Sequence, residues 1–275
     1  MTFATTALLF WLTRAPGPAA STPATPAPAP APITVELGLV RARVSCRWER
    51  DSVVLCAPTL LEVFREGYPV HEDALEGVGS YLARLPGRPP LAVRDLDGDG
   101  EPEVLLDLYS GGAHCCWSTW IYHLVGRSLA WGVLRHDWGN AGYRLEELDG
   151  GGRLDFVSAD DRFSYAFTSY AASRRPPRVW HYAFGKLSDV TRKHPGLLEE
   201  DAASCWNAFE ELSPKDPKGD DVRGLAAAYV ADQCLLGRCR EGWARLREAY
   251  DKPDREKFFG ELSSFLEKNG YVGPR

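Results

Sequence analysis

From Ile33 to about Val190, short runs of Val, Leu, Trp, Tyr and Phe alternate with clusters of Gly, Asp, Asn and Pro, the pattern of short antiparallel strands separated by turns. The clearest runs are Leu37–Cys46, Ser52–Cys56, Leu91–Asp95, Glu103–Leu108, Trp117–Val125 and Val179–Phe184, and roughly ten to twelve strands fit the segment. After Pro195 the period changes. Leu198, Ala202, Cys205, Trp206, Phe209 and Leu212 recur at helical spacing, and Pro195 suits a first turn, where no backbone donor is needed. A second helix is predicted over Val222–Leu235. A third carries Cys239, Trp243, Leu246 and Tyr250, and a fourth carries Phe258, Phe259, Leu262, Phe265 and Leu266, with Gly237 and Pro253 as punctuation. The pattern predicts a mainly β fold, propeller-like or sandwich-like, built of short antiparallel strands and followed by a C-terminal α-helical segment.

The chain ends outside this pattern add a second expectation. Residues 1–14 hold an apolar run from Phe3 to Leu12 followed by small residues and proline, as in an export signal. About ten apolar residues are too few to cross ~30 Å of hydrocarbon, so no transmembrane span is expected in the mature chain. Residues 15–32 are almost entirely Ala, Pro, Ser and Thr, lack core-forming side chains and read as an extended linker. The predicted organisation is therefore a signal-like segment (1–14), a linker (15–32), a β domain (33–190) and a helical region (195–275). Composition agrees with a folded chain: 44% hydrophobic and 11% aromatic residues in 275 positions suffice for a real core. A net charge of −6 without clustered Lys or Arg argues against nucleic acid, whose phosphates need such clusters.

One segment carries candidate chemistry. In Asp95-Leu-Asp97-Gly-Asp99-Gly-Glu101-Pro-Glu103, carboxylates stand at positions 1, 3, 5 and 9 and Gly100 at position 6, where a loop must turn sharply. Calcium takes six to eight oxygen ligands, and Asp95, Asp97, Asp99 and Glu103 with the Glu101 carbonyl supply such a set, the Glu101 side chain lying beside it. Position 12 is Leu106 instead of a bidentate Glu, and the flanks read as strands, so the loop is not an EF-hand. A second copy lies 52 residues on: VRDLDGDGEPEVLL (Val93–Leu106) aligns with LEELDGGGRLDFVS (Leu145–Ser158). It keeps Glu147, Asp149 and Asp155 but has Gly151 at position 5, so it is a turn of a duplicated unit with at most weak ion affinity.

The DxDGDGxPE loop, repeated about fifty residues later, resembles the FG-GAP and VCBS-type calcium repeats of extracellular β-propellers and adhesion proteins. With LDLYSGGAHCCW (Leu106–Trp117), WGNAGY (Trp138–Tyr143) and SADDRFSYAF (Ser158–Phe167), the stretch Val93–Phe167 resembles bacterial secreted proteins bearing such repeats. That resemblance implies calcium and an extracellular setting, and points to no known activity. A closed propeller takes at least four blades, and Ile33–Val190 has sequence for about three.

Seven cysteines and one methionine fit an oxidising compartment. Cys46 and Cys56 bracket a predicted hairpin, Cys234 and Cys239 a helix–helix turn, and Cys205 on a buried helix face is the candidate unpaired residue. His114-Cys115-Cys116 admits a disulfide, a soft-metal site or a reactive thiol. Six histidines show no zinc-type spacing. Trp117, Trp120, Trp131, Trp138 and Trp180 with Tyr122, Tyr165 and Tyr182 read as strand core before a stacking surface. The functional expectation is an exported or cell-envelope, calcium-binding, non-catalytic binding or scaffold protein with a protein or glycan ligand. The alternative is a secreted hydrolase or a thiol- or redox-active protein using the His114-Cys115-Cys116 region. Cys116 with His123 and Asp107 could be written as a thiol triad, and Asp160 with Asp161 as paired carboxylates, but no nucleophile signature surrounds Cys116 and two adjacent acids on a strand diverge.

Overall fold

The computed structural model describes residues 29–49, 55–83, 88–112, 115–126 and 130–272. The signal-like segment, most of the linker, His114 and the side chain of Cys115 lie outside the described residues.

Strand β2 (Val40–Trp48) shows how the sheets form. Val40, Ala42, Val44 and Cys46 are buried while Arg41, Arg43 and Arg47 are exposed, so the period-2 alternation fixes both the strand and its inward face. It lies between β1 (Ile33–Leu37) and β3 (Cys56–Arg65), and β4 (Tyr68–Ala74) completes a four-stranded antiparallel sheet in chain order. The run Leu37–Cys46, expected as one strand, is two: the register Leu37↔Val40 leaves Gly38 and Leu39 as a tight turn, with Gly38 at φ 56°. A disulfide joins Cys46 to Cys56 across the β2–β3 pair.

The second sheet pairs β6 (Leu91–Arg94), β7 (Glu103–Gly112), β8 (Cys115–Leu124) and β9 (Trp131–Gly139), with the short β5 (Tyr81–Leu82) also on β7. The third runs β10 (Arg144–Glu146), β11 (Asp155–Ala159), β12 (Pro177–Ala183) and β13 (Lys186–Asp189). The chain thus lays down three successive antiparallel meanders, packed sandwich-fashion.

The second sheet is covered on both faces. In β7, all of Glu103–Leu108 is buried. Val104, Leu106 and Leu108 join Leu61 and Val63 of the first sheet in one core, whereas Leu105 joins Phe156 and Tyr182 of the third in another. Each fully buried leucine contributes about 1.5–3 kcal/mol. Trp138, Tyr122 and Tyr182 are core residues as expected; Tyr165, with 57% of its surface exposed, is not.

The helices form where the 3.6-residue period placed them: α1 (Pro195–Leu212), α2 (Val222–Leu235), α3 (Cys239–Ala249) and α4 (Arg255–Lys268). Helix α2 is the central element, buried from Ala226 through Asp232. Gly242 of α3 lets that helix approach closely, since a Cβ there would come within 2.6 Å of Gln233. A disulfide joins Cys234 to Cys239 across the α2–α3 turn, and Cys205 is free and buried.

Asp160, just after β11, joins the helices to the sheets. Its buried carboxylate accepts hydrogen bonds from Arg162, from Arg178 at 3.0 Å and from the Tyr271 hydroxyl at 2.7 Å. Burial alone would push the Asp160 carboxyl up, but the hydrogen bonds from Arg162 and Tyr271 and the charge of Arg178 hold it down at about 2. Arg192 reinforces the joint by donating to the Cys234, Leu235 and Tyr271 carbonyls. No helix among the described residues is long and apolar enough to cross a membrane.

Candidate metal centre

The acidic loop connects β6 to β7, and its own side chains hold its shape. Asp95 accepts the Gly98 N–H at 2.8 Å through one oxygen and the Gly100 N–H at 3.1 Å through the other, while Asp99 accepts the Glu101 N–H at 2.8 Å. Gly98 and Gly100 sit at φ 75° and 88°, where a side chain would be strained. The backbone that curls around Asp95 therefore depends on glycine at both positions.

Three of the expected ligands converge: one oxygen each from Asp95, Asp97 and Glu103 lie within 4.8 Å of one another. Glu103 opens β7 on the face turned to the third sheet and is only 5% exposed, with the Leu96 N–H donating to it at 3.0 Å. Burial pushes its carboxyl up to about 8, and the nearby charges of Asp97 and Asp99 add to the effect. One Asp97 oxygen accepts the Phe184 N–H at 3.1 Å from the β12–β13 turn, while the other is buried without a partner among the described residues. Asp99 lines a cavity of about 340 Å³ with Asp97, Glu103, His123 and Tyr182. Among the described residues, His123 Nδ1 is likewise buried without a partner. Glu101 is drawn elsewhere, into an ion pair with Arg65 of β3 at 2.5 Å.

A buried carboxylate beside two others fits a hard cation and is poorly suited to standing alone. The ordinary glutamate value is 4.5, so without a cation the folded state holds the Glu103 proton more tightly than the unfolded chain does. The contribution is therefore fully present below that value and is lost as pH rises through about 8. In chelator, stability should fall across this window by up to about 1.4 kcal/mol per pH unit, as read by urea melts at stepped pH; a flat profile would remove Glu103 from the account.

The second loop, between β10 and β11, repeats the backbone of the first. Gly150 and Gly152 have φ of 69° and 78°, and Glu147 accepts the Gly152 N–H at 2.8 Å as Asp95 accepts that of Gly100. The loops touch through the Leu154 N–H, which donates to the Leu96 carbonyl at 3.1 Å. Asp149 is exposed, and Asp155 is buried with His181 Nδ1 at 2.8 Å. His194, beyond the third sheet, joins Asp149 and Asp155 in a triplet as close as the first.

The remaining candidates have structural settings. Cys116 is disulfide-bonded. Asp160 is committed to its arginines and Tyr271, and Asp161 accepts from the Ser164 hydroxyl at 2.7 Å. A third triplet, Asp201, Cys205 and Asp232, lies between α1 and α2. Burial, with Asp201 close by, pushes the Asp232 carboxyl well up, and burial raises the Cys205 thiol too, so both are held neutral.

A mainly β fold of three meanders with a helical C-terminal region defines the class of protein, and that region, residues 198–270, matches the family of the sll0997 C-terminal domain. The chain is homologous to the probable thylakoid lumen protein sll0997 of Synechocystis sp. (strain ATCC 27184 / PCC 6803 / Kazusa), with 31% identity over 226 residues, 79% of this chain and 63% of that protein. It is also similar to the uncharacterized protein y4bJ of Sinorhizobium fredii (strain NBRC 101917 / NGR234), 26% identical over 197 residues, 64% of this chain and 31% of that protein. The chain thus spans less than two thirds of each of these relatives. No solved structure matches the chain. The lumen named for the Synechocystis relative is an extracytoplasmic compartment, and the Cys46–Cys56 and Cys234–Cys239 disulfides are consistent with one.

Proposed function

We propose that this chain is an extracytoplasmic, calcium-stabilised binding or scaffold protein whose two loops are repeats of the FG-GAP or VCBS kind. The observation that carries the reading is the buried, unpartnered oxygen of Asp97, set among the carboxylates of Asp95 and Glu103. A buried acceptor without a donor costs about 1–3 kcal/mol or more when charged, and a calcium ion would turn that cost into a ligand bond. Asp95, Asp97, Asp99 and Glu103 would hold the ion, and Glu101, tied to Arg65, would contribute its carbonyl at most. Because Asp97 also holds the Phe184 N–H, the ion would fix the β6–β7 loop against the third sheet and hold the surrounding surface in one geometry for a protein or glycan of the cell envelope. Export rests on the signal-like start, the disulfides and the lumenal description of the Synechocystis relative.

The test is thermal. Calcium at about 100 times its Kd should add about 2.7 kcal/mol, so the melting temperature should rise by several degrees with calcium and fall back with EDTA. Asp97→Ala should abolish that response. A wild-type melt indifferent to EDTA would sink the calcium reading.

A further inference from the structure

The duplicated loops have diverged in donor chemistry. The first gathers oxygen alone. The second has lost its position-5 acid to Gly151 and gained an imidazole, His194, from a segment about forty residues away in sequence. Calcium gains little from nitrogen, whereas an imidazole with two carboxylates is a donor set for zinc and its neighbours.

We propose that Asp149, Asp155 and His194 form a second, zinc-class metal site, distinct from the calcium loop and independent of it. Its three donor atoms lie within 4.8 Å of one another. Only 9% of the His194 side chain is exposed, and its ring makes no hydrogen bond among the described residues; its nearest charged neighbour is Asp149, with Nδ1 at 3.9 Å from the carboxylate. An imidazole largely covered by the fold and lying beside two carboxylates is placed as a metal ligand is placed. Asp155 is oriented by His181, whose Nδ1 lies 2.8 Å from one of its oxygens, the outer partner that metal-bound carboxylates commonly keep. Asp149 is 62% exposed, so an ion has access from solvent. Three protein ligands leave a fourth tetrahedral position for water.

The place in the fold gives the site a task. His194 is the residue before α1, and Asp149 and Asp155 border β11 of the third sheet. A bound ion would staple the start of the helical region to the sheets, at the end of β11 opposite the joint made by Asp160.

The experiment uses the full chain in calcium-containing buffer, titrated with cobalt(II) as a spectroscopic stand-in and then with zinc. The expected result is the visible absorption of four-coordinate cobalt, abolished by zinc. His194→Gln should lose that band and the corresponding bound equivalent while keeping the calcium-dependent melting shift, so this site can fail without the calcium reading failing, and the reverse. Should His194→Gln misfold, Asp149→Ala, a change at an exposed loop position, should lose the same band. Wild-type protein that gives no such band, or a folded variant that binds cobalt as the wild type does, overturns the proposal.

Discussion

Replacing Asp160 with alanine should lower stability by about 3–5 kcal/mol, the cost of removing one partner from a buried ion pair, and the melting temperature by roughly 10 °C. The loss follows from what remains. Arg178, with 14% of its side chain exposed, and the buried Tyr271 hydroxyl would keep their places without the carboxylate they share. Both hold the helical region to the third sheet, so the damage should spread to α4. The same carboxyl sets an acid limit. Held at about 2 against an ordinary 3.8, it contributes stability that is present above pH 3.8 and lost as pH falls toward 2, roughly 2 kcal/mol in all. In urea melts the gap between wild type and Asp160→Ala should narrow by about 1 kcal/mol from pH 7 to pH 3; an unchanged gap would mean that the pairing does not hold the carboxyl down.

Glu103→Gln should be more stable than the wild type in chelator and less stable than it in calcium. The amide imitates the protonated acid and still offers an oxygen to the Leu96 N–H. In EDTA at pH 8 the variant should therefore be more stable than wild type by a few kcal/mol, because it escapes the cost of an ionised buried carboxylate. With saturating calcium the order should reverse, since the variant lacks a charged ligand. A variant less stable than wild type in both conditions would show Glu103 to be a packing residue and no ligand.

What the sequence disclosed follows from the range over which each signal acts. The four helices were legible because a 3.6-residue period repeats within each one, from Leu198 through Phe209 in α1 to Phe258 through Leu266 in α4. The β1–β2 turn was not, because Leu39, an apolar residue 53% exposed at its tip, prolongs the strand pattern through the reversal. The acidic loop was legible in the same local sense, as Asp95, Asp97 and Glu103 lie within nine residues of one another. Its surroundings were not, since Arg65 reaches Glu101 across 36 residues and Phe184 reaches Asp97 across 87. His194 lacked any zinc-type spacing, and only the third sheet brings it to Asp149. Asp160 stood in the sequence as one of two adjacent acids with no evident partner, and only the fold surrounds it with arginines and Tyr271.

Calcium binding at Asp95, Asp97 and Glu103 is the central claim, and its most direct test is calorimetric titration of the whole chain with calcium at pH 7, repeated in buffers of different ionisation enthalpy. With Glu103 near 8 before binding, the ion must displace its proton, so the account predicts a measurable heat that varies with the buffer and corresponds to about one proton released. No heat at millimolar calcium, or a heat identical in every buffer, would contradict it.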